Sequence, residues 1–150
     1  MEDFVAIDFE TTGCDGCGAN EPWQLGAAVV RGGEIAETRE WFFGTPLTPD
    51  FEPLMSQWED FYPVLAGRPL VAHNIACEKT ILTRIAPLTR WGPWTDTMRL
   101  AKAKYPKLPS YALGELCVAF GCVPEIGGRT WHDGLYDAVA CAMLARRLGA

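Results

Sequence analysis

The chain has 150 residues, 49% of them hydrophobic and 21% charged, and its net charge at pH 7 is −6. These values are typical of a soluble folded protein and exclude a disordered or fibrous one, so we expect residues 1–150 to form a single domain. The acidic charge argues against an electrostatic grip on long duplex nucleic acid, which requires lysine and arginine to neutralise phosphates. The sequence shows neither a signal-peptide pattern nor an apolar run approaching the ~18 residues of a membrane span, and it predicts a cytoplasmic protein with no membrane partner.

Three strands are predicted in the first third of the chain. Residues 4–10, 24–30 and 34–43 carry the apolar, aromatic and β-branched side chains that strands favour. The sequence Arg31-Gly32-Gly33-Glu34, between the second and third strands, predicts a hairpin turn. The first part of the chain is therefore expected to form an antiparallel meander.

One short strand and several helices are predicted next. Residues 49–65 are expected to be helical in part, and residues 69–73 to form a short buried strand. Residues 75–88 predict a helix, whose apolar residues recur at helical spacing: Ile75, Leu82, Ile85 and Leu88.

Three further helices are predicted from their end signals. Asp96, Ser110 and Asp133 are expected to cap their amino ends, the second helix to end before Gly121 and the third before Gly149. A meander followed by strands that alternate with helices predicts an α/β protein with a mixed sheet covered by helices.

Four acidic residues stand where apolar side chains are expected. Asp8 and Glu10 are two residues apart in the first strand, so they project side by side from one face. Glu78 and Asp137 each begin the apolar stripe of a predicted helix. An exposed strand end would explain the first pair, and the helix dipole would explain each helical acid taken alone. Asp133 is a rival for the fourth acid, although its capping position already explains it.

A basic cluster and the cysteines also have candidate roles. The cluster consists of Arg99, Lys102, Lys104 and Lys107, with no acid between residues 97 and 114, and the sequence favours a solvated helix face. The six cysteines are predicted to be reduced thiols. Cys14 and Cys17 could form half of a zinc or redox site, but a structural zinc needs four ligands, and Cys117 and Cys122 are the only other close pair.

Three segments resemble the motifs of the DEDDh branch of the DEDD superfamily of 3′ to 5′ exonucleases, relatives of the polymerase III proofreading subunit, ribonuclease T and oligoribonuclease. The segments are DFETTG at residues 8–13, LVAHNIACE at 70–78 and HDGLYD at 132–137. They stand in the family's order, and the resemblance covers nearly the whole chain. It implies a ribonuclease H-like fold with a five-stranded mixed sheet flanked by helices.

The resemblance implies that four carboxylates hold two Mg²⁺ or Mn²⁺ ions: Asp8, Glu10, Glu78 and Asp137. Carboxylate oxygens suit these hard cations, and two ions about 4 Å apart can promote in-line displacement at phosphorus. His132 is implied as the general base, a role for which histidine is the side chain most often used. The family's second motif normally ends in Asp, and we expect Glu78 to be a working substitute.

The resemblance also implies residues that contact the substrate. The 3′-terminal nucleotide is expected against Thr11 and Thr12, which follow the first acids. His73 and Asn74 are expected to reach the substrate backbone or to orient the helix of the second motif, and hydrogen bonding at a strand end is the alternative.

The predicted function is a metal-dependent 3′ to 5′ exonuclease. It would hydrolyse phosphodiester bonds at the 3′ ends of single-stranded or short DNA or RNA and release nucleoside 5′-monophosphates. A polymerase or another nucleic-acid-processing factor is a candidate protein partner. The alternative is a catalytically impaired ribonuclease H-like module that binds nucleic acid, with Glu78 as a sign of decay; His132 and the other three acids argue against it.

Overall fold

The structure is a computed structural model that describes residues 2–13 and 20–150. Its strands, in chain order, are β1 (Phe4–Thr11), β2 (Pro22–Arg31), β3 (Glu34–Phe42), β4 (Leu70–Ala72) and β5 (Trp94–Asp96). They form one five-stranded sheet in the order β3-β2-β1-β4-β5. The β1–β2 and β2–β3 pairs are antiparallel, whereas β1–β4 and β4–β5 are parallel. The predicted meander and mixed sheet are confirmed.

Five α-helices flank this sheet. They are α1 (Trp58–Leu65), preceded by a 3-10 turn at Leu54–Gln57, then α2 (Ala76–Ile85), α3 (Thr97–Lys104), α4 (Leu113–Phe120) and α5 (Gly134–Arg147). Asp96 and Asp133 cap α3 and α5 as predicted, because each side chain accepts backbone N–H bonds from the first turn. In the described part of the chain, no helix is both long enough and apolar enough to cross a membrane.

The two faces of β1 belong to different halves of the core. Its odd-numbered residues from 5 to 9 are buried in a cluster with side chains of α1 and α2. Phe4 and Ala6 point to the other face, where they pack in a cluster with α5. Because side chains alternate along a strand, Asp8 and Glu10 continue the row that faces α5. The strand therefore aims both acids at the helix that carries Asp137.

Two predicted helix ends are wrong. α4 begins at Leu113 with Ala112 as its N-cap, while the Ser110 hydroxyl accepts the N–H of Ala112 at 3.2 Å. Ser110 thus stands two residues too early to cap the helix. α2 ends at Ile85 rather than Leu88, whose side chain is 99% exposed. The following Pro87 explains this, since a residue that precedes proline disfavours the helical conformation.

The described cysteines support the reduced-thiol prediction. Cys77, Cys117, Cys122 and Cys141 are free, and all except the half-buried Cys77 are buried. Cys14 and Cys17, the pair considered as an alternative zinc or redox half-site, lie outside the described residues.

Candidate active site

Three carboxylates meet above the carboxyl end of β1. Asp8 and Glu10 come from the strand and Asp137 from the first turn of α5, and one oxygen from each lies within 4.8 Å of the others. Two of the three come from one strand face, and the third comes from the helix packed on that face. This group could hold a metal ion.

Glu78 approaches the same strand from α2. It is only 4% exposed, and its Oε1 accepts the N–H of Phe9 at 3.3 Å. Phe9 lies between the two β1 acids, beyond the point where β4 stops pairing with β1. Glu78 therefore satisfies a strand amide that no neighbouring strand reaches. It stands beside the three-carboxylate group but outside the 4.8 Å set.

The acids are held in an electrostatically unfavourable state. In the described part of the chain, four buried side-chain oxygens lack a hydrogen-bond partner, and three belong to these acids: Asp8 Oδ2, Glu78 Oε2 and Asp137 Oδ1. Burial and the charges of Glu78, Glu10 and Asp137 raise the pKa of Asp8 well above its usual range. Burial also raises the pKa of Glu78 to about 7 and, with the charge of Glu10, that of Asp137 to about 6. Unpartnered, converging hard oxygens fit Mg²⁺ or Mn²⁺.

These shifts predict that the metal-free protein loses stability as pH rises from about 4 to about 7. A carboxyl group whose pKa is raised by folding binds its proton more tightly in the native than in the unfolded chain, so the free energy of unfolding falls as that proton is lost. Glu78 alone would account for about 3 kcal/mol. Thermal unfolding in EDTA at pH 5 and pH 7.5 measures the loss.

Two comparisons make this test specific. Glu78→Gln should remove part of the pH dependence, because its amide does not ionise in this range. Added Mn²⁺ should raise the melting temperature more at pH 7.5 than at pH 5, because the cation binds the ionised acids. If the melting temperature of the wild type in EDTA is equal at both pH values, the raised pKa values of Glu78 and Asp137 are contradicted.

The start of α5 is fixed against β2 by contacts that the sequence did not reveal. A Cβ on Gly26 would lie 2.0 Å from the Gly134 carbonyl oxygen, so only glycine permits this close approach. The buried Gln24 accepts the N–H of Gly134 at 2.8 Å and donates to Glu40 at 3.2 Å. These contacts set the position of the helix turn that carries Asp137.

An arginine completes this support. Arg129 makes two 2.6 Å bonds to Glu40 and one of 3.2 Å to Asp133, the cap of α5. Gln24 also donates to Asp133 at 3.5 Å. A glutamine inside the largely apolar β2 was the one sequence signal that pointed to this network, since buried polar side chains need partners.

Asp96 joins the second motif to α3. Besides capping α3, its carboxylate accepts the N–H groups of Asn74 at 3.0 Å and Ile75 at 3.4 Å. These are the two residues that lead into α2. The carboxylate thus orients the helix that carries Glu78.

His73 is held by protein contacts on both ring nitrogens. Nδ1 lies 2.9 Å from the Thr97 hydroxyl, and Nε2 lies 2.8 Å from the Tyr111 carbonyl oxygen, to which it donates. Burial lowers the pKa of His73. These bonds tie the end of β4 to α3 and to the loop before α4, whereas the side chain of Asn74 is exposed at the same end.

His132 stands immediately before α5 in a left-handed conformation, with φ of +68°. Its N–H donates to Asp137 Oδ2 at 3.2 Å, which ties the histidine backbone to the acid group. The exposed side chain lines a cavity of about 700 Å³ together with Asp137, Trp131 and residues of α4. The imidazole is therefore accessible beside the carboxylates.

The two threonines lie where β1 ends. Thr12 pairs with Glu21 in both directions, because its N–H donates to the Glu21 carbonyl at 2.9 Å and its hydroxyl accepts the Glu21 N–H at 3.2 Å. Thr11 follows an irregularity in the β1–β2 register and is half-buried. Thr11 adjoins Glu10 on the chain, and Thr12 is the next residue.

The chain is similar to part of much longer proteins. No protein-family model matches it. It is 30% identical over 154 residues, covering 88% of the chain, to the DNA polymerase III PolC-type of Mycoplasmopsis pulmonis (strain UAB CTIP). It is 28% identical over 161 residues, covering 94% of the chain, to the protein of the same name from Streptococcus thermophilus (strain ATCC BAA-491 / LMD-9). The chain spans 11% of the length of each.

Solved structures give the closer comparison of architecture. Exonuclease X in complex with 5′ overhanging duplex DNA has a TM-score of 0.73 at 22% identity, covering 97% of this chain and 90% of that one. The nuclease domain of 3′hExo, a DEDDh family member bound to rAMP, has a TM-score of 0.70 at 16% identity with the same coverage. A 3′-exonuclease that recognises a histone mRNA stem-loop has a TM-score of 0.73 at 17% identity, covering 97% of this chain and 63% of that one. The chain therefore has the ribonuclease H-like fold of the DEDDh-type 3′-exonucleases, and the resemblance predicted from its three motifs is confirmed.

Proposed function

We propose that this protein is a 3′ to 5′ exonuclease that hydrolyses phosphodiester bonds at the 3′ ends of single-stranded or short nucleic acids and releases nucleoside 5′-monophosphates. The observation that carries the proposal is the group of Asp8, Glu10 and Asp137 oxygens within 4.8 Å of one another, with the exposed His132 beside them. The similar structures include an exonuclease bound to DNA and one that recognises RNA, which supports a nucleic-acid substrate. The likeness to PolC-type polymerases supports a polymerase as a protein partner.

The acids would bind the divalent cations in this proposal. Asp8, Glu10 and Asp137 supply the converging oxygens, and Glu78 supplies a buried oxygen next to Asp8. Bound Mg²⁺ or Mn²⁺ ions, two in number, would neutralise charge on the phosphate and promote attack by water. One oxygen each of Asp8, Glu78 and Asp137 has no hydrogen-bond partner, so these three oxygens are available to cations.

His132 would take the proton from the attacking water. A general base must lie within hydrogen-bond reach of the reacting group, and it must be able to accept the proton that the water loses. The carboxylates would be occupied by the cations, whereas the exposed side chain of His132 lines a cavity together with Asp137. The bond from the His132 N–H to Asp137 keeps this imidazole beside the acids.

The residues at the end of β1 would determine where the 3′ end of the substrate binds. We propose that Thr11 and Thr12 contact the 3′-terminal nucleotide, because they directly follow Glu10 where the strand ends. Asn74, which is exposed at the end of β4, is a further proposed substrate contact, and His73 would orient the helix of the second motif. For His73 the supported role is indirect, since both ring nitrogens already bond to protein groups.

Product analysis on matched oligonucleotides tests the function. Purified protein is incubated with 5′-labelled single-stranded DNA and RNA of one sequence, in Mg²⁺, in Mn²⁺ and in EDTA. We expect a ladder of products shortened from the 3′ end, release of nucleoside 5′-monophosphates, and no reaction in EDTA. Circular single-stranded DNA, which has no 3′ end, is the control and should survive. Binding of the oligomers without metal-dependent hydrolysis would instead support the binding-module alternative.

Glu78 variants test whether the glutamate substitutes for the usual aspartate. Glu78→Asp should keep activity within about tenfold, because it retains a carboxylate at this position. Glu78→Ala should lose most activity. Glu78→Gln is the matched comparison, because its amide oxygen can still accept the Phe9 N–H while its charge is gone. The rates of hydrolysis of the three variants are measured in Mn²⁺. If Glu78→Ala is active, Glu78 is not part of the site.

A further inference from the structure

Two exposed cations on α3 have no ion-pair partner in the described part of the chain. Arg99 and Lys102 are three residues apart, so they share one face of the helix. The ion pairs found among the described residues involve other basic side chains: Arg31, Arg39, Arg129 and Arg146. Lys104 is engaged elsewhere, because its Nζ donates to the Leu148 carbonyl oxygen at the end of α5. Within the basic cluster seen in the sequence, Arg99 and Lys102 therefore share a face without an ion pair, whereas Lys104 bonds to the end of α5.

Lys102, on this face of α3, contacts a segment that leads into the candidate active site. Lys102 Nζ lies 5.5 Å from the ring centroid of Tyr111, whose carbonyl oxygen bonds to His73 at the end of β4. Ala112, the residue after Tyr111, lines the cavity that also contains His132. Lys102 therefore contacts Tyr111, the residue that immediately precedes Ala112 of the cavity lining.

Tyr111, which precedes the cavity-lining Ala112, is held in place by two contacts. Its hydroxyl donates to the Tyr105 carbonyl at 2.5 Å, and its backbone carbonyl holds His73. A fixed ring beside Lys102 favours one position of its ammonium group, 5.5 Å from the ring centroid. The cation is thus positioned by the fold.

The charge distribution indicates what this face binds. The protein carries a net charge of −6, and its four site acids repel a polyanion wherever cations do not neutralise them. A nucleic acid with its terminal phosphate at the acids still has every other phosphate outside the site. Two cations on one face of α3, one of them against the residue before the cavity-lining Ala112, are suited to the next of these phosphates, since lysine and arginine are the usual phosphate contacts.

We propose that Arg99 and Lys102 form a phosphate track that binds single-stranded nucleic acid on the 5′ side of the bond to be cleaved. The direction of the strand rests on the proposed function. The contacts are to phosphates, so the track carries no base preference.

The variant Arg99→Gln/Lys102→Gln tests the track against a control with the same charge. Arg68→Gln/Arg90→Gln also changes the net charge from −6 to −8, and neither arginine is in an ion pair among the described residues. Arg68 precedes β4 and Arg90 precedes β5, so both lie at the strand ends opposite the site. Binding is measured by anisotropy of 5′-fluorescein-labelled dT octamer in EDTA, where nothing is cleaved.

The track variant should bind the octamer more weakly than the control does, and with a weaker salt dependence. Losing two phosphate contacts should reduce the slope of log affinity against log salt by about 1.4 for a single strand. Its loss of affinity at 50 mM salt should then exceed the loss at 200 mM by about sevenfold. In Mn²⁺, kcat/KM should fall for the octamer but not for the dT dinucleotide, whose only internucleotide phosphate is the one cleaved.

The outcomes separate this proposal from the proposed function. Parent protein that binds the octamer but hydrolyses neither substrate would overturn the exonuclease, whereas an affinity loss confined to the track variant would still support the track. Equal affinity and salt dependence in the two double variants would overturn the track. So would an equal loss of dinucleotide and octamer hydrolysis, which would point to a disturbed site, and so would a parent that does not bind the octamer.

Discussion

Asp8→Asn is expected to abolish phosphodiester hydrolysis, lowering kcat by about a thousandfold or more, because it removes a proposed metal ligand from the acid group. The same substitution should raise the free energy of unfolding in EDTA at pH 7.5. Folding forces the Asp8 carboxylate, with its raised pKa, beside three other acids, and the amide removes that repulsion at nearly constant shape. Initial rates in Mn²⁺ and urea unfolding in EDTA measure the two effects.

The expected loss of activity and gain of stability have opposite signs, which distinguishes a metal ligand from a residue needed for folding. An ordinary destabilising mutation would lower activity and stability together, whereas a metal ligand should lower activity while stabilising the metal-free fold. Asp50→Asn is the matched control, since Asp50 is exposed in the loop after β3 and should show neither effect. Retention of more than a few per cent of wild-type activity by Asp8→Asn would exclude Asp8 as an essential ligand.

His132→Asn is expected to lower kcat by about a hundredfold or more while KM changes only a few-fold, because a positioned general base acts in the transition state and not in substrate binding. Asparagine is the better replacement than alanine, since His132 has φ of +68° and asparagine tolerates the left-handed region. The backbone bond to Asp137 is then preserved. Steady-state kinetics with the dT octamer measure the two parameters separately.

A second cavity residue controls for this substitution. Glu115 is exposed and lines the same cavity from α4, so Glu115→Gln should leave kcat nearly unchanged. Mn²⁺ binding by His132→Asn, followed by the rise in melting temperature, should equal that of the wild type, since the histidine is not a proposed ligand. A variant that binds Mn²⁺ normally and cleaves at close to the wild-type rate would leave His132 as a structural residue.

The general plan of the molecule was available from the sequence. Strand alternation placed Asp8 and Glu10 on one face of β1, and the structure puts that face against α5. The capping roles of Asp96 and Asp133 follow from local chemistry, because a side-chain oxygen at an N-cap satisfies amides only two or three residues away. Such features depend on neighbours along the chain, and these neighbours are visible in the sequence.

The support of the candidate site was decided by tertiary structure. The bond from Glu78 to the Phe9 N–H joins residues 69 apart, and the one from Gln24 to the Gly134 N–H joins residues 110 apart. β5 has only three residues and pairs in parallel with β4, so its strand character comes from that partner and not from its own composition. Ser110 does not cap α4, because the helix begins at Leu113 with Ala112 as its N-cap, just after the Tyr111 carbonyl that bonds to the distant His73.

The sequence by itself thus determined which acids are present and which face of β1 carries two of them, because side-chain direction is a local property of the backbone. The structure decided that Glu78 stands outside the 4.8 Å group and that His73 has no free ring nitrogen. It also showed that Lys104, although it is in the same helix as Arg99 and Lys102, bonds to the end of α5 and does not belong to their surface. Each of these depends on groups brought together from distant parts of the chain, and their positions are set only when the sheet and helices pack as one body.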